Sequence, residues 1–216
     1  LSSINLFKTN IVPELSLGHP TLMILIDNLR YDQWKTIEPF VVEDYSIKKN
    51  IIYTSILPTT TQYCRNSIFS GLSPKDINKF HPNYWVNETD EGGKNKYEDE
   101  LINEQFLRLG IKSNYKYHKI SNPKEGESFL NRMSNEKQNE LTVMVYNFVD
   151  MISHAKKDVK FIKELASSDR AYRELTKGWF KNSKLNEIIK RGKELGFKII
   201  ITSDHGTINV DKATLV

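Results

Sequence analysis

Three apolar runs in this chain stop at, or just short of, an aspartate. Thr21-Leu-Met-Ile-Leu-Ile26 meets Asp27, residues 142–149 meet Asp150, and residues 197–202 lead into Ser203-Asp204-His205-Gly206. Short, mostly apolar runs without polar alternation suit strands buried on both faces. Tyr115–Ile120 reads as a further strand, and so do residues 51–57, which Pro58 ends. Helical stretches lie between them, at 62–72, 100–109, 126–133, 156–166 and 183–195. In the first of these, Tyr63, Ile68 and Phe69 share a face, and Gly71 with Pro74 stops the helix. Strands alternating with helices predict an α/β fold, a mostly parallel sheet flanked by helices. Residues 1–18 show no strong period and read as a lead-in segment. Residues 76–100 are polar, contain Pro82 and Gly92-Gly93, and read as a cap or loop insertion in a single domain spanning 1–216.

Composition narrows the chemistry. Cys64 is the one cysteine in 216 residues, which excludes a disulfide framework and any zinc site built on several thiolates. A metal would have to be held by carboxylates and histidines. The net charge of +4 is mild; it permits a polyanionic partner without demanding one. No apolar run approaches the roughly 18 residues of a bilayer span. Residues 1–10 lack the basic start and apolar stretch of a signal peptide, so a cytoplasmic setting is expected. There the Asn87-Glu88-Thr89 sequon goes unused. The first residue is Leu, and the chain reads as a piece of a longer protein.

Ligands of open α/β sheets bind beyond the carboxyl ends of the strands. That rule brings Asp27, Asp150 and Asp204 to one edge. His154 follows Asp150 by one helical turn, and His205 follows Asp204 directly. Carboxylate and imidazole are both zinc ligands. Each piece also has an ordinary reading: a turn or helix-cap aspartate, a surface pair, a loop histidine. Pro58-Thr59-Thr60-Thr61 precedes the helix at 62–72. Threonine there caps a helix well. A hydroxyl at that position also sits at the positive end of the helix dipole, where phosphate binds, and a nearby metal would turn it into a nucleophile.

The segments Ile26-Asp27-Asn28-Leu29-Arg30, Pro58-Thr59-Thr60-Thr61 with Ser70-Gly71-Leu72-Ser73-Pro74, Asp150-Met-Ile-Ser-His154 and Ser203-Asp204-His205-Gly206 occur in this order. Together they resemble the alkaline phosphatase superfamily, with a spacing from Pro58 to Gly71 similar to its nucleotide pyrophosphatase/phosphodiesterase branch. Leu29-Arg30-Tyr31-Asp32-Gln33-Trp34 and Thr61-Gln-Tyr-Cys-Arg-Asn66 are more particular. They resemble the PglZ domain, as found at the output end of PorX-type response regulators of type IX secretion. The resemblance runs from Thr21 to Gly206.

It implies two zinc ions. Asp27, Asp204 and His205 would hold one, with Thr61 beside it as nucleophile; Asp150 and His154 would hold the other. Thr61 keeps the family's distance from Pro58, and Thr60 is the alternative by one register. The family's phosphate-holding asparagine has no counterpart, since Cys64 stands in its place; Arg65 or Asn66 would substitute as substrate-binding residues. A further histidine that the family places after its Asp-His-Gly motif has no match before Val216, so the domain reads as cut short at its C-terminus. His19, His81 and His118 fall outside the pattern and are read as core, surface or loop residues.

The function implied is a zinc-dependent phosphodiesterase acting on nucleotide or oligonucleotide diesters. Its implied partners are an N-terminal receiver domain, other secretion-regulatory proteins and a second copy on activation. The alternative is a non-catalytic zinc-bound signalling module. Tyr84 and Trp85 could stack a base or cover the core, the second reading being preferred. Lys156, Lys157 and Lys160 read as a solvated helix face.

Overall fold

Every residue of β1 (Thr21–Ile26) is buried, as is every residue of β3 (Leu141–Tyr146). The computed structural model describes residues 1–15, 18–87, 89–147 and 168–207. Among these, β1 and β3 form the centre of a four-stranded sheet, with β2 (Tyr115–Ile120) outside β3 and β4 (Lys198–Thr202) outside β1. All three pairings are parallel. Ile26 pairs with Tyr146, and Leu25 with Thr202, so the strands end together. Asp27, Asn147, Ser203 and Asp204 therefore leave the sheet at one edge.

The unbroken apolar pattern of the central strands follows from helices on both faces. Leu22, Ile24 and Ile26 of β1, with Met144 and Tyr146 of β3, point into one core. Met23 and Leu25, with Leu141, Val143 and Val145, point into the other. The first core is closed by α3 (Tyr31–Val42), α7 (Pro123–Arg132), α8 (Asp169–Lys181) and α9 (Lys184–Leu195). The second is closed by α4 (Thr61–Ser70), α5 (Pro74–Phe80), α6 (Glu98–Leu109) and the N-terminal segment.

That N-terminal segment corrects the reading of 1–18 as aperiodic. It is helical as α1 (Ser3–Leu6), a π-helical turn (Phe7–Ile11) and α2 (Val12–Leu15). Ser3, Leu6, Phe7 and Ile11 are buried, a helical stripe. Its Phe7 ring lies edge-on to Phe106, centroids 5.7 Å apart. Three further helices, α3, α5 and α8, are not expected from sequence. In α3 the buried residues are Gln33, Ile37 and Val41, four apart, with Pro39 on the exposed side. In α8 they are Tyr172, Thr176 and Phe180 after a Ser168 cap.

Residues 51–57 do not join the sheet, contrary to the strand reading. Thr54 makes one isolated bridge to Ser2, while Ile52 and Leu57 are exposed. The polar side chains of this segment explain its path: Tyr53 donates to the Ser203 carbonyl, and Ser55 donates to the Asp204 carbonyl at 2.8 Å. It braces the loop after β4 from outside. The insertion at 76–100 is less open than expected. It begins inside α5, passes a 3-10 turn at Pro82–Tyr84 and ends in α6. Tyr84 and Trp85 pack on the second core, and Trp85 meets Tyr63 edge-on at 5.6 Å, so these rings serve as cover. No helix among the described residues is long and apolar enough to cross a membrane.

Candidate active site

Asp27 extends from β1 into the sheet's carboxyl edge and is 1% exposed; Asp204 follows β4 and is fully buried. Asn28 turns the chain sharply there with φ 57°, a left-handed value that asparagine tolerates. The turn aims the Asn28 N–H at Asp204 Oδ1 (3.0 Å), which also accepts the His205 N–H (3.0 Å). Leu29 N–H donates to Ser203 Oγ at 2.9 Å, tying the two loops together.

One oxygen, one nitrogen and one further oxygen gather as a result. Ligand atoms of Asp27, Asp204 and His205 lie within 4.8 Å of one another. His205 Nε2 is 3.9 Å from Asp27 Oδ1 and 3.9 Å from Asp204 Oδ2. His205 Nδ1 lies 3.2 Å from the Gly206 carbonyl. Donation there leaves Nε2 with its lone pair, the form that binds metal or accepts a proton. Thr61 Oγ1 approaches Nε2 at 3.0 Å and Asp27 Oδ1 at 3.5 Å. Thr61 is the first residue of α4, and Thr60 is its N-cap without a side-chain capping bond. The hydroxyl therefore stands where the helix presents its free N–H groups.

Arg65, one turn further along α4, lies behind this group and is 1% exposed. Its guanidinium pairs with Asp27 Oδ2, with Asp204 Oδ2 at 3.0 Å and with Glu98 Oε1 at 3.3 Å. Its Nη1 also reaches Asn147 Oδ1 at 3.4 Å. Glu98, equally buried, accepts from Tyr117 Oη and pairs with Lys119 Nζ at 3.2 Å. Burial raises the Asp27 carboxyl above its ordinary value, Asp204 adds to this, and Arg65 opposes it. Burial works against the charge on Arg65, but Asp204, Glu98 and Asp27 outweigh it and hold the guanidinium protonated.

A cleft of about 430 Å³ opens above Thr61, Asp27 and Arg65. Lys94, Lys96 and Lys119 line it, with Gly93 and Asn95. The insertion supplies the 93–96 wall, and Asn66 holds that wall in place. Its Nδ2 donates to the Lys94 carbonyl (3.2 Å), and its Oδ1 accepts from Asn95 Nδ2 (3.0 Å). Asn95 also donates to the Thr61 carbonyl at 3.3 Å.

Of the residues singled out from sequence, Asp27, Thr61, Arg65, Asp204 and His205 thus come together, with Asn66 directly beneath the wall of the cleft. Asp150, His154 and the lysines at 156, 157 and 160 lie outside the described residues. His19 is exposed, His81 faces Glu104 at 3.8 Å and His118 faces Glu136 at 3.2 Å, all away from the cluster. Sequence reasoning missed Glu98, Asn147 and Lys119. Lys119 and Asn147 stand at strand ends, so the rule that found the aspartates extends to them. Glu98 resembles any acid in the first turn of a helix, and no local pattern marks its burial.

The donor set of Asp27, Asp204 and His205 fits a metal cation. Three buried carboxylates, Asp27, Asp204 and Glu98, face one guanidinium and one ammonium. That leaves negative charge beside an imidazole nitrogen free to coordinate. A family model described as the BREX system PglZ alkaline phosphatase-like domain matches residues 6–215. No curated protein matches the chain. The match bears out the expected domain and its α/β fold.

Proposed function

We propose, for a chain that belongs to the PglZ alkaline phosphatase-like family, a phosphoesterase-type hydrolase that is more narrowly a zinc-dependent phosphodiesterase. One observation carries the reading: the Thr61 hydroxyl at the start of α4 lies 3.0 Å from His205 Nε2, beside a buried Asp27–Asp204–His205 cluster. A non-catalytic metal scaffold has no need of a hydroxyl in that place.

Asp27, Asp204, His205 and Thr61 would hold one zinc ion, and Asp150 with His154 would contribute to a second. Bound there, zinc supplies positive charge that acidifies a neighbouring hydroxyl and offsets charge on a phosphoryl group. Thr61 Oγ1, its proton lost to solvent, attacks phosphorus; the bond to the leaving oxygen breaks and that oxygen takes a proton from water, giving a phosphothreonine that keeps the second ester group. Water then cleaves the Thr61–phosphorus bond and restores the hydroxyl. The N–H groups of the first turn of α4 point at the phosphoryl oxygens throughout. Lys94, Lys96 and Lys119 would receive the flanking phosphates of a nucleotide or oligonucleotide diester.

Metal analysis of the full-length protein tests the premise, and Thr61→Ala tests the nucleophile. Zinc should co-purify, and Thr61→Ala should reduce hydrolysis of bis(4-nitrophenyl) phosphate to background with metal still bound. Unchanged turnover in Thr61→Ala would move the role to Thr60; a folded wild-type protein without metal would overturn the reading. The motif resemblance extends it to the cytoplasmic output end of a PorX-type response regulator, whereas the family's description names a BREX system. A receiver domain upstream in the full-length sequence supports the first setting, and its absence the second.

A further inference from the structure

Arg65 is the largest fully buried side chain among the described residues, yet it lies against the acidic cluster instead of in either apolar core. A buried guanidinium spends its donors in a fixed, planar fork. Here Nε takes Asp204 Oδ2, Nη2 pairs with Asp27 Oδ2, and Nη1 is shared by Glu98 Oε1 and Asn147 Oδ1. Little of it faces a substrate. It does determine which oxygen of Asp27 is open and how the Asp204 carboxylate is turned. Asp204 Oδ1 is already taken by two backbone N–H groups. Asp27 Oδ1 remains turned toward Thr61 and His205.

We propose that Arg65 and Glu98 form a positioning pair: Arg65 holds Asp27 Oδ2 so that Asp27 meets the metal through Oδ1, it fixes the Asp204 carboxylate through Oδ2, the oxygen that faces His205 Nε2, and Glu98 anchors Arg65 in that pose. The inference rests on the metal-site reading above and adds two residues to it, neither of them a metal ligand. Tyr117 and Lys119 fix Glu98 from the opposite side. The pair is therefore anchored in β2 and α6, elements remote in sequence from the ligands. Partners of metal-binding side chains typically change affinity by about 10–100-fold when lost.

Titration of the metal-free full-length protein with cobalt(II), read by its visible d–d absorption, tests the pair. Arg65→Lys keeps the charge but cannot span two carboxylates, so cobalt should bind about 10–100-fold more weakly, with altered band shape. Glu98→Gln, which touches no ligand, should shift affinity the same way. The double variant should fall short of the sum of the two, because both act through one contact. Should Arg65→Lys fail to fold, Glu98→Gln decides alone. Cobalt affinity and spectra unchanged in the variants, with only KM for the diester raised, would overturn the inference and return Arg65 to substrate binding. A wild-type protein that takes up no cobalt would instead overturn the metal reading itself, and this inference with it.

Discussion

Cys64 lies between Thr61 and Arg65 on α4, yet it takes no part in the cleft. Its thiol donates toward the Ile56 carbonyl at 3.4 Å, and burial, with Asp204 nearby, pushes its pKa up to about 12. The reactive form of cysteine is the thiolate. Native protein at pH 8 should therefore resist an aromatic disulfide reagent, and labelling should appear only in denaturant; rapid labelling of the folded state would contradict this placement. The residue thus stays out of the cleft, while Asn66 supports its lysine-bearing wall. Asp204 is the opposite case, since several groups depend on it. Asp204→Ala would leave Arg65 short of a partner and two backbone N–H groups without an acceptor. Breaking a buried ion pair in this way costs about 3–5 kcal/mol, measurable by urea denaturation, and zinc content should fall as well. Asp27, Asp204, His205 and Thr61 were legible because strand ends and helix starts are local features. The Arg65–Glu98 contact joins residues 33 apart in sequence, and nothing local announces it.

The central strands and the helices α4, α6, α7 and α9 were readable because long apolar runs, caps and glycine stops act within a few residues. Of the helices that escaped, α1, α3 and α8 have their buried residues diluted by polar ones: Ser3, Gln33 and Thr176 occupy core positions. Pairing explains two of these, since Gln33 Nε2 donates to Thr176 Oγ1 at 2.8 Å, joining α3 to α8 inside the core. Residues 51–57 failed in the other direction, being β-prone in composition but engaged by the loop after β4. Two substitutions test these elements. Phe7→Ala should cost about 3–5 kcal/mol in chemical denaturation, because the N-terminal helix closes a core; a change near zero would show that the helix is dispensable. Gly71 ends α4 with φ 63°, and a Cβ there would meet Gln105 Nε2 at 2.7 Å. Gly71→Ala should therefore lose about 1–2 kcal/mol from backbone strain alone, with the added clash on top.

Across the whole molecule, a net charge of +4 would do little if spread evenly, but three lysines line one cleft. Lys94, Lys96 and Lys119 come from residues 76–100 and from β2, and line the cleft together with the Thr61 hydroxyl carried by α4. Lys119 and Lys94 are partly committed: Lys119 to Glu98 and the Asn95 carbonyl, Lys94 to the carbonyls of Asn87 and Asp90. Lys96 is exposed, with its ammonium 4.6 Å from the centre of the Tyr97 ring, and is the most available to a flanking phosphate. For single-stranded nucleic acid each phosphate neutralised adds about 0.7 to the slope of log affinity against log salt. Short oligonucleotides should then show a KM that rises steeply with salt, while bis(4-nitrophenyl) phosphate, which has no flanking phosphate, should show almost none. Lys96→Ala should flatten the oligonucleotide slope by about 0.7 and leave kcat on the small diester untouched. Equal salt dependence for both substrates would mean that the cleft binds only the reacting phosphoryl group. The substrate class would then have to be sought among diesters without further charge.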